Sequence, residues 1–205
     1  MVYFCKDPYR FKPPPFSRFT PIILIMAVLA PPDFIPVISY FLYLIIFEIA
    51  KSEMGYTNQR PAEYTGVVLA AALKEGYSGP VFIQGDHFQV NAKKYAADPK
   101  KEINGIKELI EEAVASGFYN IDIDSSTVVD LSKEDIKEQQ RANFEICAQF
   151  TKFIRSIQPK NVTISVGGEI GEVGGKNSTL EDLHSFMDGY LESLPSGMEG
   201  ISKIS

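Results

Sequence analysis

From residue 57 onward the apolar positions switch repeatedly between a helical period and short strand-like runs, which predicts alternating strands and helices. Residues 62–75, rich in Ala and Leu and stopped by Gly76, predict a helix. Pro80 to Gly85 predicts a short apolar strand that ends on Asp86-His87. Over 101–116, Ile103, Ile106, Leu109, Ile110, Ala113 and Val114 share one helical face, with Gly117 as the stop. Residues 118–124 alternate as a strand. Ser132 with Asp135 resembles a capping box opening a long helix whose stripe includes Ile136, Cys147, Phe150, Ile154 and Ile157, and which Pro159 ends. Asn161 to Val166 forms the next expected strand. A glycine-rich loop, 167–175, then leads to a helix over 180–194 with Leu180, Leu183, Phe186, Tyr190 and Leu191 among its inward positions, and residues 201–205 read as a last strand.

The first fifth of the chain follows another pattern. Lys6, Arg10, Lys12 and Arg18 surround Pro13-Pro14-Pro15 and precede an apolar run, 22–30; a second run, Phe34 to Phe47, follows Pro31-Pro32-Asp33. A basic leader before apolar residues is the outline of a secretory signal, but this one is long, broken by proline and lacks a clear small-residue cleavage site. Neither run reaches the ~18 residues of a membrane span, and joining them would bury Asp33 and three prolines, which disfavours an anchor through 20–47. The simpler expectation is a buried strand over 22–29, a short helix opened by Pro36 and a buried strand over 44–49. The chain thus divides into an irregular leader, 1–19, and a β/α region, 20–205, of about five β/α units plus a sixth strand.

Composition narrows the class. A chain of 205 residues, 45% hydrophobic and 22% charged, can bury a core, and 26 acidic against 20 basic side chains argue against a phosphate-tracking nucleic-acid binder. Cys5 and Cys147 have no metal-ribbon spacing and predict reduced thiols, with Cys147 in a helix core and a cytoplasmic location.

Strand–helix alternation implies a parallel α/β sheet, either open and doubly wound or a barrel. Acids, His and Gly fall at strand ends (Asp86-His87, Asp122 and Asp124, Gly167-Gly168-Glu169), where barrel enzymes assemble their sites. The sequence contains no GxGxxG, and Gly171 to Asn177 fails the Walker pattern. That loop, with Gly174 and Gly175, fits two roles equally: a phosphate cradle built from backbone N–H groups, or a mobile cover. His184, on a helix beside Leu183 and Phe186, reads as structural. His87, directly after a strand and next to an acid, is placed to present an imidazole to a cleft, with Asp86 as an acid/base or an orienter of the ring.

The strings GPVFIQGDHFQVNAKKYAADPKKEI (79–103), FYNIDIDSSTVVDLS (118–132) and ISVGGEIGEVGGKNST (164–179) resemble the zinc-dependent class II ketose-bisphosphate aldolases, in a divergent fructose- or tagatose-bisphosphate branch. The resemblance implies a (β/α)8 barrel, a Zn²⁺ or other divalent cofactor, a sugar-phosphate substrate and a homo-oligomer. It implies His87 as a metal ligand, Asp86 as the group that exchanges a proton with substrate oxygen, Glu169 as a residue near the metal that can ligate it, Asp124 as a site residue and Glu172 as the loop acid in proton transfer. The family's two other zinc-binding histidines lie beyond the equivalent of residue 205, and 205 residues fall short of the roughly 250 of a full barrel. The expectation is therefore a C-terminally truncated barrel, inactive by itself. Alternatives are a non-catalytic relative that binds a sugar phosphate and a membrane-tethered protein.

Overall fold

The computed structural model describes residues 45–171 and 177–205. The leader and the expected strand over 22–29 lie outside these residues, as do Glu172, Gly174 and Gly175.

Strand β1 (Ile45–Ala50) alternates: Phe47 and Ile49 are buried, while Glu48 points the other way. Helix α1 (Lys51–Thr57) starts at once, its first turn fixed by Glu53 Oε2, which accepts from Ala50 N at 2.9 Å. The sequence pattern missed this helix. Helix α2 (Pro61–Lys74) opens with proline at its first position, buries Tyr64, Val68 and Ala72, and stops at Gly76, whose φ of +69° suits glycine.

Strand β2 (Val81–Asp86) is followed by a short helix α3 (Ala92–Ala97), also unpredicted, and by α4 (Pro99–Ala115), whose expected apolar stripe is buried throughout. Strand β3 (Asn120–Ile123) leads through a single 3-10 turn (Ser126–Val128) to α5 (Ile136–Ile157). Asp135 alone caps α5, accepting from Glu138 N at 2.9 Å; Ser132 instead donates its hydroxyl to Asp130, which corrects the expected Ser132–Asp135 box. Strand β4 (Ser165–Gly168), helix α6 (Leu180–Ser193) and strand β5 (Lys203–Ile204) complete the order. Phe186 and Tyr190 are buried as expected from α6, but Leu180 and Leu191 are 63% and 57% exposed. Their periodicity placed them on the stripe's margin, and no element among the described residues covers that flank.

Among the described residues the strands are all parallel and lie side by side in chain order, β1-β2-β3-β4-β5. Successive helices α2, α4, α5 and α6 pack each beside the next. A doubly wound sheet reverses its order at a switch point; these strands do not. The helices share one face, where Ile83, Ile121, Ile123 and Val166 bury their side chains, each worth about 1.5–3 kcal/mol. Alternation then gives the opposite face to Glu48, Gln84, Asp86, Asp122, Gly167 and Lys203.

Candidate metal centre at the strand ends

The site begins with an irregularity in β2. Its regular pairing with β3 covers Gln84↔Asn120 and Gly85↔Ile121, and backbone bonding resumes one residue late, with Phe88 N donating to Asp122 O and Val90 N to Asp124 O, both at 2.8 Å. The extra residue is accommodated at His87, whose φ is +42°. A non-glycine residue there stores roughly 1–3 kcal/mol of strain, and such a bulge re-aims a side chain at the sheet's end. Gly85 belongs to the same device: a Cβ there would meet the Phe88 ring at 2.5 Å.

The re-aimed imidazole meets acids from the next two strand ends. His87 Nδ1 lies 3.0 Å from Glu169 Oε1 and 3.4 Å from Asp124 Oδ2, while Nε2 is 3.7 Å from Asp86 Oδ2. The His87 side chain is half exposed, whereas Asp124 and Glu169 are buried. One donor atom from each of His87, Asp124 and Glu169 falls within 4.8 Å of the others. A divalent ion bound through bonds of about 2.1 Å separates tetrahedral ligand atoms by about 3.4 Å, so this set fits such an ion. With Nδ1 as ligand the ring proton sits on Nε2, toward Asp86.

Surrounding groups fix the acids. Asp124 Oδ1 accepts from Ser126 N and Oγ at 3.1 and 2.7 Å, and Oδ2 accepts from Gln89 Nε2 at 2.5 Å. The buried Asn143 of α5 donates to the carbonyl of Glu169 at 2.8 Å and accepts from Ser125 Oγ at 2.7 Å, joining the ends of β3 and β4. Below them Gln84 donates to Glu48 and Asp86 and accepts from Lys203, which also approaches Asp122 at 3.9 Å.

Burial, together with neighbouring charges, shifts the titrating groups of the site. Burial, reinforced by Asp124 and opposed by His87, pushes the Glu169 carboxyl up to about 7. Burial pulls the His87 imidazole down, but Asp86, Glu169 and Asp124 together outweigh it and hold it above its ordinary value. Burial likewise raises Asp122 against the pull of Lys203, and raises Glu48 with help from Asp86. An excess of buried negative charge around a half-exposed imidazole is an arrangement that a cation would neutralise.

The structure thus brings together His87, Glu169, Asp124 and Asp86, while His184 is exposed on α6 and stands outside the cluster. Sequence reasoning placed Asp124 at the site without a contact and missed Gln89, Asn143 and Lys203. For Asn143 a signal was present: polar residues Gln140 and Asn143 interrupt the α5 stripe between Ile136 and Cys147, yet both are buried.

Together these features define a parallel α/β protein with a metal-capable site at its strand ends. Residues 50–191 match the family described as D-tagatose-1,6-bisphosphate aldolase subunit GatZ/KbaZ-like, and the chain belongs to that family. It is 26% identical over 137 residues to the D-tagatose-1,6-bisphosphate aldolase subunit GatZ of Escherichia coli strain SMS-3-5 / SECEC, a match covering 63% of this chain and 31% of that protein. The same subunit from Escherichia coli O157:H7 strain EC4115 / EHEC is 25% identical over 139 residues, with the same coverage. The chain therefore spans about a third of the length of the curated relatives it matches. Among solved structures it resembles a probable tagatose 6 phosphate kinase from Sinorhizobium meliloti 1021, with a TM-score of 0.53, 15% identity, and coverage of 77% of this chain and 41% of that one. That likeness concerns the fold.

Proposed function

We propose that this chain carries the metal-binding strand ends of an aldolase acting on a ketose 1,6-bisphosphate of the fructose or tagatose type, with dihydroxyacetone phosphate and glyceraldehyde 3-phosphate as cleavage products. The observation that carries the proposal is the His87–Asp124–Glu169 cluster beside Asp86, in a chain whose family is described by an aldolase subunit.

His87, Asp124 and Glu169 hold Zn²⁺ or another divalent ion. Such an ion supplies electrophilic stabilisation of the negative charge that develops on the substrate's carbonyl oxygen. In the cleavage direction Asp86 takes the proton of the hydroxyl on the carbon next to the breaking bond. The C–C bond breaks as that hydroxyl carbon becomes the aldehyde, and the released electron pair moves toward the ketone carbonyl. Glu172 returns a proton to the carbon of the ketone fragment left with the released electron pair, and backbone N–H groups around Gly174 and Gly175 receive a phosphate.

The five strands form an arc of a (β/α)8 barrel. Chain-order pairing supports this, as do Ile46 and Phe82, paired across β1 and β2 on the face away from the helices and 46% and 37% exposed, where further strands would cover them. The boundary at residues 19 and 20, a homo-oligomeric assembly and a cytoplasmic location belong to the same proposal. No helix among the described residues is long and apolar enough to cross a membrane.

One observation favours a second reading, a non-catalytic sugar-phosphate-binding subunit: the cluster offers a single imidazole and two carboxylates, where catalytic zinc sites hold two or three imidazole or thiolate ligands. Zinc titration by competition with a chromophoric chelator, run beside an aldol-cleavage assay, separates the two. Stoichiometric binding lost in both His87→Ala and Glu169→Ala supports the metal centre; absence of binding by the unaltered chain overturns it. Binding without turnover in the full-length family protein favours the non-catalytic subunit.

A further inference from the structure

A line of polar contacts leaves the cluster and ends on a salt bridge that touches no ligand atom. Gln89 Nε2 donates at 2.5 Å to Asp124 Oδ2, the carboxylate oxygen that faces His87. The backbone carbonyl of Gln89 accepts at 2.5 Å from Lys51 Nζ. Lys51 Nζ also lies 3.3 Å from Glu102 Oε1, and that oxygen accepts from Asn91 N at 2.9 Å. Lys51 is the first residue of α1, directly after β1, and Glu102 lies in the first turn of α4, so elements on both sides grip the 87–91 segment.

Two features make this grip more than a surface ion pair. Glu102 is only 8% exposed, and a buried carboxylate is tolerated where its oxygens are paired, as Lys51 and Asn91 N pair this one. The segment it holds contains the left-handed His87 and a tight turn in which Gln89 N donates to His87 O at 2.6 Å. Backbone held away from its preferred conformation persists only where its surroundings over-determine it. On the inner side that support comes from Phe88 N bonding to Asp122 of β3 and Val90 N bonding to Asp124 just past it; on the outer side it comes from Lys51 and Glu102.

We infer that Lys51 and Glu102 are positioning residues for the metal centre: their salt bridge fixes the 87–91 segment so that Gln89 holds Asp124 against His87. This rests on the metal-binding reading above. Groups that orient ligating carboxylates typically cost about 10–100-fold in metal affinity when lost.

The test uses the 205-residue chain with Zn²⁺ as probe, in Lys51→Met, which keeps the aliphatic stem and loses the donors, Glu102→Gln, and the conservative Lys51→Arg. Hydrogen exchange is followed on the metal-free proteins. Lys51→Met is expected to weaken Zn²⁺ binding about 10–100-fold and to speed exchange at the Phe88, Val90 and Asn91 amides while β4 and α5 amides keep their protection. Glu102→Gln should shift both in the same direction, and Lys51→Arg should retain most of the affinity. Affinity within twofold of the unaltered chain, unchanged exchange at 88–91, or exchange raised uniformly across the protein overturns the inference. If the unaltered chain binds no Zn²⁺, the metal reading falls, and exchange at 88–91 in Lys51→Met alone decides whether the brace exists.

Discussion

His87 Nδ1 stands 3.0 Å from Glu169 Oε1 although β3 lies between the strands that deliver them. The bulge after β2 and the extension past β4 carry both side chains over the end of β3, where Asp124 lies beneath them. The cluster is thus a property of three adjacent strand ends.

The raised carboxyl of Glu169 sets the pH dependence of the metal-free protein. Its folded value, about 7, lies above the ordinary 4.5, so the folded chain holds a proton there that the unfolded chain has released. The resulting stabilisation is fully present below 4.5 and is lost as pH rises through about 7; His87, also raised, acts in the same sense. In the presence of a chelator, the urea midpoint of Glu169→Gln should fall less between pH 5 and pH 8 than that of the unaltered chain. Parallel slopes would remove Glu169 as the cause.

Two glycines with opposite surroundings give a paired test. A Cβ at Gly167 would stand 1.8 Å from Asp122 Oδ1 and 2.8 Å from Lys203 Cε, so Gly167→Ala must displace both side chains. It is expected to cost about 1–3 kcal/mol by chemical denaturation. Gly66, in α2, faces open space, and Gly66→Ala should instead stabilise by up to about 1 kcal/mol through helix propensity.

Arg155 ties the end of α5 to the strands' N-terminal side. Its guanidinium donates to the carbonyls of Ile164, Glu199 and Gly200 at 2.7, 2.8 and 2.9 Å. Removing it leaves those carbonyls without their charged donor, and Arg155→Met should lower stability by about 2 kcal/mol. Faster exchange at the Ser202 and Ser205 amides, which bond to β4, should accompany the loss. A midpoint unchanged within error would show that the clamp contributes little.

Cys147 is fully buried, and burial pushes its thiol up to about 12. In a Cys5→Ser background the folded chain should react with a disulfide reagent at pH 8 at least tenfold more slowly than the urea-unfolded chain, because both thiolate fraction and access are suppressed. Comparable rates would mean that the α5–β4 core opens readily.

The order and kind of most elements were legible because each buries one face. The α4 stripe from Ile103 to Val114 is periodic, and its helix is where the period says. Short helices α1 and α3 were not legible: seven and six residues carry too little period to stand out, and they form because Glu53 and Asn91 cap them in place. The Ser132–Asp135 misassignment has a similar origin, since three residues of spacing suggest a cap but only the backbone decides which oxygen faces the helix.

By itself the sequence determined which residues sit at strand ends, because a strand's alternation and its closing polar residues are local. It marked His87 and Glu169 as candidates, with the roles that its family resemblance implies. Tertiary structure decided which of these meet. Asp124 joins His87 and Glu169 because β3 is inserted between β2 and β4, and His87 reaches them because one extra residue turns its backbone to φ +42°. Pairing order and a one-residue bulge are long-range choices made by packing, and a linear pattern of hydrophobic positions does not encode them.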